Sequence, residues 1–385
     1  MRQEDSSPLR PTRRSVLRLG GGAVVASALG ASPAYAAPGT GLAPLDGPSA
    51  TGRPVRGAGA PAAPDRPFDL SGAATRWIHE KRLQQTTVLQ SFAFDEDNRH
   101  IYALQVIRGG VQLPGEPRAY THAERTRSGD LCLNRLSMDG DVLGHMYLKG
   151  FGHGSAMGVE PLGTGRFALW TECDADPGTG HARGIGRYRY AENTILHCSD
   201  PGVTIHRPQP GSISNSAAID LHGRRLLLRY RRDDGVRFAV YDFDLFRRGS
   251  YRPIVDFPQP GAELGLPFQG MTLYGDYAYQ VIGAFRDPDD PDSEEVGING
   301  RLYCMDLSSG GVIQELRTRS VDVLLAREPE GLAVLHTPRP RLCMGYASGP
   351  VGGRKYSLYY KEAPEPEPAP LSPEPLSPAP LSPGP

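Results

Sequence analysis

Three carboxylates close one β-prone run of this chain: Glu172, Asp174 and Asp176, in Trp-Thr-Glu-Cys-Asp-Ala-Asp from Trp170. A Pro-Gly-Thr-Gly turn and His181 follow, and His153 stands upstream in Gly-Phe-Gly-His-Gly. Two carboxylates beside a glycan can divide the work of acid and base, so His153, Glu172 and Asp174 are the catalytic candidates if the chain is a hydrolase. Asp174-Ala-Asp176-Pro-Gly also resembles calcium-loop spacing, which makes Ca2+ the one metal ion to weigh; otherwise no cofactor and no metal site is expected. Acidic turns are common, and no complete calcium loop follows. Gly-x-Ser-x-Gly, His-Glu-x-x-His and phosphate-loop motifs do not occur.

The elements that must position these residues form a repeat. Five runs share the order polar, small, variable, small, apolar: Gln90–Phe94, Ser155–Val159, Asn215–Ile219, Gln269–Leu273 and Glu330–Val334. Their starts are 65, 60, 54 and 61 residues apart, and each is followed by a turn and a second apolar strand. Several strands per unit at this period predict an all-β fold, a five-bladed β-propeller with blades of roughly 60 residues. Small residues suit innermost strands, which crowd around a central channel.

In such a ring the starts of the innermost strands share one face. Gln90, Ser155, Asn215, Gln269 and Glu330 are then expected to make a polar rim, with His153 just before the second inner strand. Amides and hydroxyls suit sugar hydroxyls, Trp170 could stack on a sugar ring, and Arg183 and Arg108 could pair with phosphates. The alternative is a rim that only satisfies strand ends through channel water. Five longer connections, 108–128, 174–184, 231–235, 284–300 and 347–354, are expected to rise around the same mouth. Arg224, Arg225, Arg229, Arg231 and Arg232 read first as an exposed edge strand with protective charge, and second as a polyanion patch.

Residues 1–36 carry Thr12-Arg13-Arg14-Ser15-Val16-Leu17-Arg18, a short apolar run and Ala34-Tyr35-Ala36. That order is a twin-arginine export signal, which predicts a secreted or wall-associated protein without a transmembrane segment once the signal is removed. Residues 37–67 read as a Gly/Ala/Pro-rich linker, 68–361 as the propeller and 362–385 as a Pro-rich tail that could meet a protein partner. The segment from Asp69 to Ile78 is expected to add a strand or short helix to the first blade. Net charge is −1, and without a basic stripe no nucleic-acid partner is expected. None of the five cysteines forms a Cys-x-x-Cys pair. Cys132, Cys304 and Cys343 read as small buried hydrophobes, and Cys173 with Cys198 as a possible bridge.

The stretch from Leu89 to Asp176 carries a resemblance. LQSFAFD with IYALQ, then GDLCLNRLSMDGDVLGHMYLKGFGHG, then GVEP with ALWTECDA, resembles the teichoic acid biosynthesis protein C family. That family shares its propeller with receptor-binding proteins of phages that infect Gram-positive bacteria. The resemblance spans about Trp77 to Lys361 and implies five blades and, from the phage members, attachment to a cell-wall glycopolymer such as teichoic acid and its sugar substituents. The acidic stretch Arg286–Glu295 and the Pro-rich tail depart from the family pattern, and no stem or fibre region is present to build a virion. A secreted bacterial binder is therefore the expected function; the alternative is a hydrolase or modifying enzyme acting on the same polymer.

Overall fold

The apolar, β-branched and aromatic runs of this chain are strands buried on both faces, as the middle layers of stacked sheets must be. A computed structural model describes residues 66–284, 300–317 and 328–364. The expected signal sequence, nearly all of the expected linker, the acidic stretch 286–295 and the tail from 365 lie outside the described residues, as does nearly all of the expected loop 284–300.

Five sheets make up the ring. The first blade comprises β2 (Leu89–Asp95), β3 (His100–Val106), β4 (Leu131–Ser137) and β5 (Val142–Lys149). The second has β6 (Met157–Pro161), β7 (Phe167–Ala175), β8 (Ala182–Tyr188) and β10 (Thr204–His206). Its connecting segment lends the short β9 (Ile195–His197) to the edge of the first blade, parallel to β5. The third runs β11 (Ile213–Asp220), β12 (Arg225–Arg232), β13 (Gly235–Asp242), β14 (Val255–Pro258), and the fourth β15 (Phe268–Tyr274), β16 (Tyr277–Ile282), β17 (Arg301–Asp306), β18 (Val312–Arg317). The fifth has β19 (Glu328–Leu335), β20 (Arg341–Ser348) and β21 (Lys355–Glu362), completed by β1 (Thr75–Lys81).

The innermost strands β2, β6, β11, β15 and β19 are the five repeated runs, and each touches the next, β19 returning to β2. Each neighbouring pair of blades encloses its own apolar cluster, so the core is divided into five wedges. The small residues of the repeat sit where these strands approach. A Cβ on Gly158 would lie 2.0 Å from Ile219 of the next inner strand, and one on Gly331 would lie 3.0 Å from the Ser91 Cα at a φ of +80°. A side chain has no room there.

Closure departs from the sequence expectation. The N-terminal strand β1 joins the last blade, antiparallel to β21 with Thr75 opposite Tyr360. Just before it, the Phe68 N–H donates to the Tyr279 hydroxyl at 3.0 Å and the Leu70 N–H to Gln314 at 3.0 Å, pinning the segment to the fourth blade. An open ring would leave β21 as an unpaired edge, and β1 covers it.

Two of the expected loops also change. The 231–235 connection is a tight turn, because β12 runs on to Arg232 and β13 starts at Gly235. The 108–128 connection contains α1 (His122–Ser128), opened by a Thr121/Glu124 capping box. No helix of the described residues is long and apolar enough to cross a membrane.

Candidate functional site

The polar residue of each repeat occupies an irregular position in the backbone. Register slips between Leu89 and Ser91, Ile213 and Ser216, Phe268 and Gly270, and Pro329 and Leu332 put Gln90, Asn215, Gln269 and Glu330 in β-bulges at the starts of their strands. Ser155 stands just before β6. Bulges turn a side chain out of the regular pleat, and all five positions, four bulged and Ser155 not, stand where the inner strands begin, at one mouth of the ring.

That mouth is organised by Glu172 near the end of β7. Its carboxylate, 2% exposed, accepts the backbone N–H groups of His153 (2.7 Å), Gly154 (2.9 Å) and Ser155 (2.9 Å) and the Ser216 hydroxyl (2.6 Å). Both oxygens are engaged, and they tie the loop before β6 to the third blade. The residue expected to be an acid or base is a clamp. Asp174, at a φ of +65°, is gripped by Arg183 at 2.6 Å and Arg207 at 2.7 Å. Burial pushes its carboxyl up, but the two guanidiniums outweigh that and hold it below the ordinary range. Asp176 is occupied by its own turn, accepting the N–H groups of Gly178 and Thr179. Arg183 is thus paired to a carboxylate and only half free for a phosphate.

Trp170 corrects a sequence expectation, because it cannot reach a sugar. It is fully buried between the second and third blades, stacked on His206 at 5.1 Å, with its indole N–H on Glu160 at 3.0 Å. Glu160 also takes Arg187 at 2.7 Å and Arg247 at 3.0 Å, a structural role matching its place at the far end of the inner strand. Asn215 is fully buried, donating to the Ala182 carbonyl at 3.2 Å and exchanging bonds with Ser212. Gln269 donates to the Gly283 carbonyl at 3.0 Å, with Glu328 of the fifth blade at 3.4 Å. Gln90 and Glu330 are also buried, whereas Ser155 and His153 keep partial exposure.

The charges of the mouth divide into two sides. On the third blade, Arg229 and Arg231 lie two residues apart in β12, opposite the bulged start of β11. Arg229 is bonded to Gln259 at 2.7 Å and lies 4.3 Å over the Phe268 ring; burial pulls its guanidinium down to about 10, still charged at neutral pH. Arg231 is exposed. Both act on His181, whose imidazole is lowered first by burial, then against Glu172 by His153 and the two arginines. His153 is lowered by burial, with Glu172 opposing and His122 assisting. Both histidines are neutral at physiological pH, offering one donor and one acceptor each. On the fifth blade, burial raises the carboxyls of Glu330 and Glu328, and Glu328 pushes Glu330 further. Both shifts favour the protonated carboxyl, the form that can donate a hydrogen bond.

The sequence reading put the loop of His181 at this mouth without giving His181 a role, gave Arg229 only a second reading as part of a polyanion patch, and missed Phe268. The arginine run read as an edge strand, yet β12 is the second strand of its blade, hydrogen-bonded on both sides. Its alternation supplied the only available signal: Arg229 and Arg231 share a face that the apolar Leu227 occupies deeper in. Cys173 and Cys198 are free thiols that hydrogen-bond each other, a contact that, chief among its influences, brings Cys198 down to about 7. The other three cysteines are fully buried.

Comparison with known proteins places this geometry. A family profile described as "Phage 5-bladed beta propeller receptor binding platform domain" matches residues 88–360. A Bacillus subtilis (strain 168) protein named "Putative major teichoic acid biosynthesis protein C" is 25% identical over 304 residues, covering 76% of this chain and 63% of the relative. The tail fiber of Staphylococcus aureus phage P68 superposes with a TM-score of 0.59 at 20% identity, over 77% of this chain and 54% of the fiber chain, a likeness of fold. This chain therefore spans less than two thirds of the length of either relative.

Proposed function

Because the chain belongs to the phage five-bladed β-propeller receptor-binding platform family, we propose that it binds an anionic cell-wall glycopolymer of the teichoic-acid class at the polar mouth of the ring, without cleaving it. The observation that carries this reading is the gathering of the bulged polar positions with His153, Ser155, His181, Arg229 and Arg231. Two guanidiniums suit the phosphates of such a polymer, while imidazoles, a hydroxyl and a carboxyl suit its sugar hydroxyls. The polymer class is suggested by the name of the Bacillus relative. Among the rim positions the ligand-facing set is His153 and Ser155 first, with Gln90, Gln269 and Glu330 lining the depth.

Binding is favoured over hydrolysis by the state of the carboxylates. Glu172 is saturated by four donors and Asp174 by two arginines, so neither is placed to exchange a proton with a glycosidic or phosphate oxygen. The twin-arginine sequence at residues 12–18 supports a place outside the cytoplasmic membrane, where such a polymer is met.

The test incubates the full chain with isolated teichoic-acid-bearing wall and measures both retained protein and released glycerol phosphate or sugar. Retention without release is expected. Exposed Arg231 changed to Glu is expected to weaken retention about tenfold or more and to flatten its salt dependence, since a charge-assisted bond contributes about 1.5–3 kcal/mol. Unchanged retention in Arg231→Glu removes this site from the interaction. Catalytic release by the native chain establishes the enzyme instead.

A further inference from the structure

On the opposite face, where the inner strands end, three potential ligands from two non-adjacent blades converge. β11 ends at Asp220 and His222 lies in the turn after it; β19 ends at Leu335 and His336 is next. One donor atom from each of Asp220, His222 and His336 lies within 4.8 Å of the other two. Asp220 is 2% exposed. Its Oδ1 accepts the His222 N–H at 2.9 Å, and its Oδ2 accepts the Gly275 N–H of the fourth blade at a long 3.3 Å. Among the described residues its only ion-pair partner is the His222 ring, with Nδ1 4.0 Å away. A buried carboxylate supported by two backbone donors and no permanent cation is costly to hold.

The histidines are presented differently. The N–H groups of His336 and Thr337 both donate to the Glu96 carboxylate of the first blade, at 2.8 and 2.9 Å, which fixes the turn carrying His336. The His222 side chain is 60% exposed. The two imidazoles stack at 3.8 Å with an interplanar angle of 24°.

We propose that Asp220, His222 and His336 bind a zinc-class divalent ion that links the third and fifth blades across the turn of the fourth. Two imidazoles and a carboxylate are a nitrogen and oxygen donor set suited to Zn2+, with a fourth position left for water or an outside ligand. Calcium, which takes 6–8 oxygens, does not match that set. Two imidazoles bound at about 2.0–2.1 Å with a tetrahedral angle hold their ring centres roughly 5 Å apart. The 3.8 Å stack must therefore open, and exposed His222 is the side chain able to swing. The site is independent of the polar mouth and of the binding reading.

The test titrates metal-stripped full chain with ZnCl2 by calorimetry and follows the thermal midpoint. His222→Ala, at an exposed position, is expected to fold normally and to lose one Zn2+ per chain, with affinity at this site down by more than about 100-fold, because even outer partners of a metal site cost 10- to 100-fold. His336→Gln is expected to lose the same ion, and His153→Ala at the other mouth to keep it. Zn2+ should raise the midpoint of the native chain but not of His222→Ala, and CaCl2 should raise neither. Failure of the native chain to bind Zn2+, or equal stoichiometry in native chain and His222→Ala, overturns the proposal.

Discussion

Glu172 holds four donors at once while excluded from water, three of them backbone N–H groups of the loop before β6. Glu172→Ala would leave those donors buried and unmatched. The expected cost is about 3 kcal/mol of unfolding free energy, read from urea denaturation, since each stranded buried group costs about 1–3 kcal/mol and the loop can partly relax toward water. A stability loss near zero would return Glu172 to the list of catalytic carboxylates. The sequence marked Glu172 as chemically important without revealing which chemistry, because spacing along β7 says nothing about which backbone donors a neighbouring blade delivers. Trp170 was obscured for the same reason. In a ring both faces of a strand meet another sheet, so an aromatic within a strand has no outward side by default.

At the scale of elements, the β3–β4 connection stands out because its fold depends on buried charge. Arg125, fully buried in α1, pairs with Glu116 and with Asp130 at 2.8 Å, and Lys149 reaches Glu116 at 2.5 Å. Burial pushes the Glu116 carboxyl up, yet the bonds from Arg125 and Lys149 prevail and hold it at about 2, against an ordinary value of 4.5. A folded value below the unfolded one means a stabilisation present above pH 4.5 that is lost as the pH falls towards 2. Glu116→Gln is therefore expected to melt well below the native chain at about pH 7, with the gap closing by about pH 2.5. A gap that stays constant across that range would mean that the charge of Glu116 does not hold the loop. Nothing local in the sequence exposed this cluster, since Glu116, Arg125, Asp130 and Lys149 come from a loop, a helix and two strand ends. The inner strands were legible, because the crowding at Gly158 and Gly331 imposes residue sizes that recur in every blade.

For the molecule as a whole, the decisive contact is between β1 and β21. A chain lacking Thr75–Lys81 exposes the length of β21 and the apolar contacts around Ile78, which is 2% exposed in the intact ring. It is expected to associate or to unfold without a single cooperative transition, as judged by size-exclusion chromatography and scanning calorimetry. A monomer with unchanged melting would show that the ring does not need its clasp. Blade number was readable from the repeat, whereas the clasp was not: the partner of β1 lies at the other end of the ring, and a strand of ordinary composition carries no address. The Asp220, His222 and His336 grouping was hidden in the same way, its members coming from the strand ends and turns of two non-adjacent blades.

The pairing of Thr75 with Tyr360 has a mechanical corollary. Counting strand directions through the fifth blade, β19 starts at the polar mouth, so β21 finishes and β1 begins on the far face. The incoming and outgoing chain thus leave side by side from one corner of the disc, on its back. If either end is fastened to something, the ring hangs from that corner like a badge, with its polar mouth on the side away from the attachment.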